Sequence, residues 1–373
     1  MSIEIRSVEL RRVELPLVRP FRTSFGESRD KVAILVRLDA GDVAGWGECA
    51  ADLEPDFSEE WIDGAWAALT SFLVPSLMAG GPLERPEEVA ERLRWVRGHR
   101  MAKAALEGAV LDAWLRSRGE SLAAFLGAER DRVPCGVSVG IAPTPERMIE
   151  EIAGYVERGY RRVKLKIEPG RDVEIVRAVA EAFPGVPLTV DANAAYSLVE
   201  APVFEALDEL GLLLIEQPLA HDDLLDHARL QARLRTPICL DESIRHARDA
   251  AAAIELGACR VINIKPGRVG GYLEAKRVHD VARDQGIPVW IGGMLETGVG
   301  RAGNVAAAAM PGVALPGDTS ASDRYFHEDL TAPFMLDADG TMAVPKGPGI
   351  GVEPLPERLS ATTTRVELLR PEA

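Results

Sequence analysis

The sequence contains little cysteine, and its cysteines follow no metal-binding pattern. Its 373 residues include four of them, Cys49, Cys135, Cys239 and Cys259, and no two have the C-x-x-C spacing. This pattern argues against both a disulfide framework and a structural zinc site. We expect buried free thiols instead.

Basic charge, long apolar runs and an export signal are also missing. Only 43 basic residues face 58 acidic ones, and the net charge of −15 argues against nucleic acid or an anionic membrane as the partner. No apolar run approaches the roughly 18 residues of a membrane-spanning helix. The stretch MSIEIRSVEL lacks the apolar core of an export signal. We therefore expect a cytoplasmic protein with no membrane or nucleic-acid partner.

The composition that is present suits a globular protein with a large core. Hydrophobic residues make up 47% and charged residues 27% of the chain, whose length indicates one large domain or two ordinary ones. Residues 3–15 and 31–48 alternate apolar and polar positions as strands do, and helical patterns run from about 58 to 125. Residues 1–125 are thus predicted to form an α+β unit, to which the tail, 345–373, returns through the strand-like TTTRVELL.

Residues 126–344 repeat a short apolar run followed by a helix-like segment. The predicted strands of this region end at eight positions: Val139, Ile167, Asp191, Glu216, Asp241, Lys265, Gly293 and Asp318. Eight β/α units in succession predict an α/β fold of the (β/α)8-barrel type with a shortened last helix. A doubly wound open sheet is the structural alternative.

Polar residues end five successive predicted strands, although buried parallel strands are otherwise apolar. Lys166 is followed by Asp191, Glu216 and Asp241 at intervals of 25 residues, and Lys265 comes 24 residues later. The carboxyl ends of barrel strands meet at one mouth, so two cations and three carboxylates would surround a single cavity. Strands two and six lie opposite each other in an eight-membered ring, which places the two lysines on opposite flanks.

Three convergent carboxylates repel one another, and a bound divalent cation would offset this repulsion. Mg²⁺ is the divalent cation that suits hard oxygen ligands of this kind. Mg²⁺ acidifies a proton α to a coordinated carboxylate by stabilising the enediolate, and one lysine can take the proton while the other returns it. Lys164 and Arg268 either depress the pKa of the neighbouring Lys166 and Lys265 or pair with carboxylates. Two structural alternatives involve no catalysis. In one, the acids only cap the helices that follow them; in the other, the five charged residues form a ring of ion pairs.

The motifs KLK, DAN, IEQP, DES and NIKPGRVGG resemble those of the enolase superfamily, in its muconate-lactonizing-enzyme subgroup. The resemblance covers nearly the whole chain and implies that residues 1–125 and the tail form a capping domain over the mouth of a barrel formed by 126–344. It also implies a homo-oligomer and a Mg²⁺ site that accepts Mn²⁺ or Co²⁺. The implied roles are the acid/base pair Lys166 and Lys265, the metal ligands Asp191, Glu216 and Asp241, and the supporting residues Lys164 and Asn193; the position of Arg268 near Lys265 adds it to the supporting residues.

Two further segments, GGMLETGVGRAGN and LPGDTSASDRY, resemble the branch that contains o-succinylbenzoate synthases and N-acylamino acid (N-succinylamino acid) racemases. Both reactions pass through an enediolate; the synthase, which serves menaquinone biosynthesis, then loses hydroxide, and the racemase is reprotonated. The D-x-D of dipeptide epimerases is replaced here by Asp318-Thr319-Ser320, which favours an N-acylated substrate. Muconate cycloisomerisation and dipeptide epimerisation on the same scaffold are the alternative activities, and a non-catalytic binding barrel is the alternative class.

The substrate contacts are predicted from position alone. Three phenylalanines of the capping unit could line an apolar pocket or belong to its core, and four residues near strands one and seven could orient a small carboxylate substrate or only pack at the mouth. These residues are Phe21, Phe25, Phe57, Ser138, Met294, Glu296 and Thr297. Gly298, Gly300 and Gly303 spell G-x-G-x-x-G, but a lone match on the seventh unit does not indicate a dinucleotide site. Its backbone N–H groups could cradle a substrate carboxylate.

Overall fold

A computed structural model describes residues 2–371, and within them the chain forms a capping domain and a barrel. The strands, in chain order, are β1 Ser7–Arg22, β2 Glu27–Asp39, β3 Ala44–Cys49, β4 Arg132–Pro134, β5 Gly136–Val139, β6 Arg162–Lys166, β7 Leu188–Asp191, β8 Leu214–Glu216, β9 Ile238–Leu240, β10 Val261–Ile264, β11 Val289–Ile291, β12 Thr341–Ala343 and β13 Thr363–Leu369.

Five helices lie between β3 and β4, and from β5 onward helices alternate with the barrel strands. In chain order they are α1 Ile62–Ala68, α2 Val74–Ala79, α3 Glu88–Leu93, α4 Arg100–Arg116, α5 Leu122–Leu126, α6 Pro145–Glu157, α7 Val173–Ala182, α8 Ala201–Asp208, α9 Leu224–Gln231, α10 Ala247–Glu255, α11 Pro266–Val269, α12 Tyr272–Asp284, α13 Gly298–Ala308 and α14 Pro356–Thr362. Short 3₁₀ turns occupy Leu198–Glu200 and Ser322–Arg324.

The capping domain is an antiparallel sheet covered by helices. Its strand order is β13-β1-β2-β3, so the tail returns to the N-terminal strands as the sequence pattern predicted. Helix α4 lies across β3, where a Cβ added to Gly45 or Gly47 would come within 2.0 Å of a backbone oxygen of α4. Glycine is therefore required at both positions, because only a bare backbone permits this close approach.

One helical stretch of the capping domain is long and apolar enough to cross a membrane. Helices α1 and α2 are joined by a π-helical turn, Leu69–Leu73, and Ile62–Ala79 together form 18 residues with mean hydropathy 1.3. The expectation that no apolar run reaches this length was therefore wrong. The stretch packs one face, including Ile62, Trp66 and Leu73, into the core of the capping domain, as core helices of soluble proteins also do.

Seven parallel strands, in the order β11-β10-β9-β8-β7-β6-β5, form the barrel wall. The expected eighth strand is not regular. Its segment, 313–318, instead closes the gap between β11 and β5 through single hydrogen bonds, from Gly136 N–H to Gly317 oxygen and from Asp318 N–H to Ile291 oxygen. Pro316 supplies no N–H for a continuous ladder. The barrel therefore closes with seven strands and one irregular segment, followed by a 3₁₀ turn where the last helix would begin.

Two buried carboxylates of the capping domain dock it onto the barrel by capping barrel helices. Glu48, in β3, accepts hydrogen bonds from the N–H of Thr297 at 3.0 Å and of Gly300 at 2.9 Å at the start of α13. Glu107, in α4, accepts the N–H of Tyr272 at 2.8 Å at the start of α12. Their side-chain oxygens satisfy N–H groups that have no partner within the first turn of a helix. These contacts fix the capping domain over the barrel mouth.

Candidate active site

The strand register brings the predicted polar residues to one end of the barrel. Lys166, Asp191 and Glu216 are register partners across β6, β7 and β8. Asp241 follows β9 directly, and Lys265 follows β10 directly. Because β6 and β10 are four strands apart in a ring of eight positions, the two lysines flank the carboxylates from opposite sides. The side chains of all five are at least nine-tenths buried.

Lys164 lies at the centre of a buried cluster of charges. Its Nζ lies 3.0 Å from Asp191 Oδ2, 3.0 Å from Glu216 Oε2 and 2.6 Å from Asp318 Oδ2. Burial opposes the positive charge of Lys164, yet these three carboxylates together raise its pKa well above the usual value. Removing one partner of such a buried pair typically costs ~3–5 kcal/mol. Lys164 is therefore a fixed cation that organises the acids.

Lys166 has a different environment from its neighbour two positions away. Its Nζ donates hydrogen bonds to Asp191 Oδ2 at 2.7 Å and to Asn193 Oδ1 at 2.6 Å, and it lines a cavity. Burial lowers the pKa of Lys166, and the positive charge of Lys164 adds to this effect while Asp191 opposes it. A lysine with a lowered pKa is better suited to accept a proton near neutral pH.

Lys265 and Arg268 share the third acid. Lys265 Nζ lies 2.8 Å from Asp241 Oδ2, and the Arg268 guanidinium contacts Asp241 Oδ1. Arg268 also donates to the backbone oxygens of Ile244 and Asn263, each at 3.0 Å. Burial lowers the pKa of Arg268 to about 9. Both Lys164 and Arg268 therefore pair with carboxylates, which is one of the two roles predicted for them. Lys164 also has the other predicted role, because its charge lowers the pKa of Lys166.

The acids differ in their tendency to ionise. Burial opposes the charge of Asp191, but Lys166 and Lys164 outweigh it and hold the pKa of Asp191 below its usual range. Burial and the charge of Asp191 raise the pKa of Glu216. Burial and Asp191 likewise raise the pKa of Glu242, the neighbour of Asp241, to about 7. The acids thus repel one another even with lysines present, which is the situation that an added divalent cation relieves.

The donor chemistry of the site fits a hard divalent cation. Asp191, Glu216 and Asp241 are fully buried carboxylates at adjacent strand ends, and oxygen ligands of this type are those that Mg²⁺ prefers. Asp241 Oδ2 is buried and forms an ion pair with Lys265 Nζ at 2.8 Å, but it accepts no hydrogen bond from the described residues. As the side chains stand, no three acidic, histidine or cysteine side chains within residues 2–371 converge closely enough to hold a metal.

A small cavity of about 80 Å³ opens above these residues, between the barrel and the capping domain. The three phenylalanines of the capping domain line it, and Phe25 and Phe57 pack with ring centroids 6.1 Å apart. The Nζ of Lys265 lies 4.5 Å from the centroid of the Phe57 ring. Ser138, whose buried Oγ has no hydrogen-bond partner among the described residues, and Met294 also line the cavity.

Glu296 and Thr297, which we expected to contact the substrate, do not line this cavity. Glu296 Oε2 accepts the N–H of Met294 at 2.7 Å, and the hydroxyl of Thr297 donates to Glu48 at 2.6 Å. The physical reason differs between them: the Thr297 side chain is used at the contact between the start of α13 and the capping domain, whereas the Glu296 carboxylate turns back onto the backbone of its own loop. Leu295, in a left-handed conformation with φ 56°, lines the cavity in their place.

The G-x-G-x-x-G stretch has a packing role in this structure. A Cβ at Gly298 would lie 1.8 Å from the hydroxyl of Thr331, and one at Gly303 would lie 1.8 Å from that of Tyr272. The N–H of Gly298 donates to Asp329, and that of Gly300 donates to Glu48. The expectation that these N–H groups cradle a substrate was therefore wrong, because carboxylates of the chain itself already occupy them.

Four polar residues of the site were not among the predicted site residues. Asn263 donates to Glu216 Oε1 at 2.8 Å, Glu242 accepts from Asn193 at 2.9 Å, and Arg162 lies 2.5 Å from Asp318. Arg162 lies two positions before Lys164, and Asn263 lies two positions before Lys265. Because alternate residues of a strand face the same side, this spacing could have identified both. Asp318 ends the irregular eighth segment. Glu242 directly follows Asp241, and no sequence pattern of its own marks it as a site residue.

Comparison with known families agrees with this architecture. The chain matches the family "Enolase C-terminal domain-like" over residues 147–358 and the family "Mandelate racemase / muconate lactonizing enzyme, N-terminal domain" over residues 5–127. The chain therefore belongs to the enolase superfamily. This result confirms the superfamily and the barrel with a capping domain that the sequence motifs predicted.

Individual relatives match over nearly the full length. An N-succinylamino acid racemase from an Amycolatopsis species is 56% identical over 97% of this chain and 98% of its own length. An o-succinylbenzoate synthase from Geobacillus kaustophilus is 51% identical over 95% of this chain and 94% of its own. The crystal structure of an enolase superfamily member from Listeria innocua superposes with a TM-score of 0.94, with 40% identity and 99% of both chains covered. The predicted branch of the superfamily is confirmed.

Proposed function

We propose that this protein removes a proton α to the carboxylate of a small N-acylated amino acid or of the precursor of o-succinylbenzoate. The observation that carries the proposal is the placement of Lys166 and Lys265, two buried amines on opposite flanks of three carboxylates. A substrate carbon held between them has an amine on each face. One amine can take the proton, and the other can return it on the opposite face, which inverts the configuration.

We propose Mg²⁺ as the cofactor, held by Asp191, Glu216 and Asp241, with Mn²⁺ or Co²⁺ able to replace it. When bound, the ion supplies stabilisation of the negative charge that develops on the substrate carboxylate as the proton leaves. Lys164 and Asn263 hold Glu216, and Arg268 holds Asp241. These contacts orient the ligands, and such outer contacts govern metal affinity.

The charges of the site favour a dianionic substrate without a free amine. The site contains five basic side chains, Arg162, Lys164, Lys166, Lys265 and Arg268, and five acidic ones, Asp191, Glu216, Asp241, Glu242 and Asp318. A divalent cation together with two substrate carboxylates adds no net charge to this buried set. Both oxygens of Asp318 are already paired, with Arg162 and with Lys164, so this acid is not free to hold an α-ammonium group.

The racemase and the synthase reactions use the same groups up to the loss of the proton. The two relatives described above are named for one reaction each, and both are more than half identical to this chain. We propose that the protein acts as an N-succinylamino acid racemase, as an o-succinylbenzoate synthase, or as both. A synthase activity would place it in menaquinone biosynthesis.

The test is to assay the purified chain on N-succinyl amino acids in D₂O and, separately, on the o-succinylbenzoate precursor. We expect α-deuterium incorporation, with racemisation or dehydration, when Mg²⁺ is present. Chelation should abolish both reactions, and added Mg²⁺ should restore them. Matched free amino acids and dipeptides should show no exchange. Exchange that persists in chelator would reject the metal, and the absence of reaction on both substrates would reject the proposed function.

A further inference from the structure

A second concave region lies on the side of the molecule, between the capping domain and the barrel. It has a volume of about 700 Å³ and is lined by the end of α3, the start of α4, the first turn of α10 and the N-terminal half of α12. None of its lining residues belongs to the candidate active site. Ligand sites occur preferentially at such boundaries between domains.

The groove is strongly basic in a chain whose net charge is −15. Six of its sixteen lining residues are arginine or lysine and two are glutamate; the basic ones are Arg94, Arg97, Arg100, Lys103, Arg248 and Arg277. Like charges gathered in a concave surface repel one another unless an anion lies among them, and such a surface focuses an attractive field for anions. Burial and the charge of Arg100 lower the pKa of Lys103, in agreement with this crowding.

The two acids of the groove offset only part of its positive charge. Glu107 is fully buried and caps α12, and its pKa is raised to about 8 by burial, so it carries little charge at neutral pH. Glu274 pairs with Arg277 at 2.8 Å and accepts the N–H of Ala247 at 2.8 Å. The acids of the groove are thus committed to structural contacts.

Three arginines of the groove are left without partners. Within residues 2–371, Arg94, Arg97 and Arg248 make no side-chain hydrogen bond or ion pair with the chain, and all three are exposed. Arg94 and Arg97 belong to the capping domain, whereas Arg248 stands in the first turn of α10 in the barrel. Guanidinium groups on two sides of a groove can bind separate anionic groups of one molecule, each with paired hydrogen bonds.

We propose that this groove binds a small polyanion, a molecule with two or more phosphate or carboxylate groups that bridges Arg94 and Arg97 on one side and Arg248 on the other. The inference is independent of the reaction at the barrel mouth. Because the ligand would contact both domains, it would also stabilise their mutual arrangement.

The test is calorimetric titration of the full chain, loaded with Mg²⁺ and then freed of excess metal, with pyrophosphate as the phosphate probe and tricarballylate as the carboxylate probe. The double variant Arg94→Gln/Arg248→Gln should bind the preferred probe about tenfold or more weakly than wild type. The control Arg177→Gln/Arg6→Gln removes the same charge from two exposed arginines outside the groove, and it should bind like wild type. Both variants retain every lysine of the active site, so anion binding there would not distinguish them.

The probe that binds wild type more tightly shows whether the groove prefers phosphate or carboxylate groups. Preference for either probe supports the proposal, provided that only the groove variant loses affinity for it. Equal weakening in the two double variants would overturn it, since only net charge would then matter. The absence of binding to wild type would also overturn it. If sedimentation shows that Arg94→Gln/Arg248→Gln changes the oligomeric state while neither probe binds, the groove belongs to a contact between copies of the chain and the proposal is wrong.

Discussion

Asn193 Oδ1 accepts a 2.6 Å hydrogen bond from the Nζ of Lys166, although the backbone of Asn193 has a left-handed conformation with φ 44°. Asparagine adopts this conformation more readily than most residues with a side chain. Its amide also donates from Nδ2 to Glu242 Oε1 at 2.9 Å, which sets the end of the amide that faces the lysine. The chain beyond β7 is therefore shaped to hold the amine of Lys166 in place.

We expect Asn193→Ala to lower kcat by about 10- to 100-fold with little change in KM, because the lost contact orients Lys166 and not the substrate. The hydrogen bond from Lys166 favours the charged amine, so its loss should also move the acidic limb of the kcat–pH profile to lower pH. Asn193→Gly, which tolerates the left-handed backbone, is the control for strain. Full activity in the glycine variant would show that only the backbone matters.

The two lysines should be separable by stereochemistry. We expect Lys166→Ala and Lys265→Ala each to lose racemisation by at least about 10²–10⁴-fold, since each removes the amine on one face. Each variant should still exchange the α-proton of one enantiomer with D₂O, a different enantiomer in each case. Exchange is measured by NMR on the separate enantiomers. Should both variants exchange both enantiomers, the assignment of one amine to each face fails.

Glu107 predicts a specific dependence of stability on pH. Burial raises the pKa of Glu107 from 4.5 to about 8 in the folded protein, so the unfolded chain releases a proton between pH 4.5 and 8 that the folded protein retains. The contribution of Glu107 to the free energy of unfolding is therefore largest below pH 4.5 and declines as pH rises through 8. We therefore expect the free energy of unfolding of Glu107→Gln, relative to that of wild type, to increase by roughly 1 kcal/mol per pH unit between pH 4.5 and pH 8.

The measurement for Glu107 is urea unfolding of wild type and Glu107→Gln at pH 5, 6.5 and 8. The control is Glu255→Gln at an exposed position of α10, whose difference from wild type should not change with pH. A constant difference between wild type and Glu107→Gln across the series would contradict the inferred burial of a carboxyl group that is neutral at low pH.

Two glycine substitutions should have opposite effects. Gly271 has φ 130°, and a Cβ there would lie 1.8 Å from Glu107 Oε2, so Gly271→Ala should destabilise the protein by about 2–4 kcal/mol. Gly154 lies exposed within α6, and a Cβ there would meet nothing within 4 Å. Gly154→Ala should therefore stabilise it by about 0.5–1 kcal/mol. Thermal unfolding compares both with wild type, and equal losses would refute the contact between Gly271 and Glu107.

The sequence predicted those features that repeat with a fixed period. Lys166, Asp191 and Glu216 were found because each ends an apolar run, and parallel strands bring such positions to one end of a sheet. The eighth strand was expected because Asp318 also ends a short apolar run. Its failure to pair continuously depends on Pro316 and on single hydrogen bonds, which periodicity does not reveal.

Contacts between distant segments could not be predicted from local patterns. Glu48 and Thr297 are 249 positions apart, and nothing near either residue indicates that one caps the helix of the other. The same holds for Glu242, whose partner Asn193 is 49 positions away. Thr297, expected to contact the substrate, instead bonds Glu48, and position near a strand end does not show such a distant partner.

The pairing of β13 with β1 has a consequence for biosynthesis. Strand β13 is made after every strand of the barrel, so the outer edge of β1 has no partner while the barrel is being translated. An unpaired edge of this length can recruit strands from other nascent chains. Ribosome-bound chains that end before Thr363 should therefore depend on chaperones more than the released protein does.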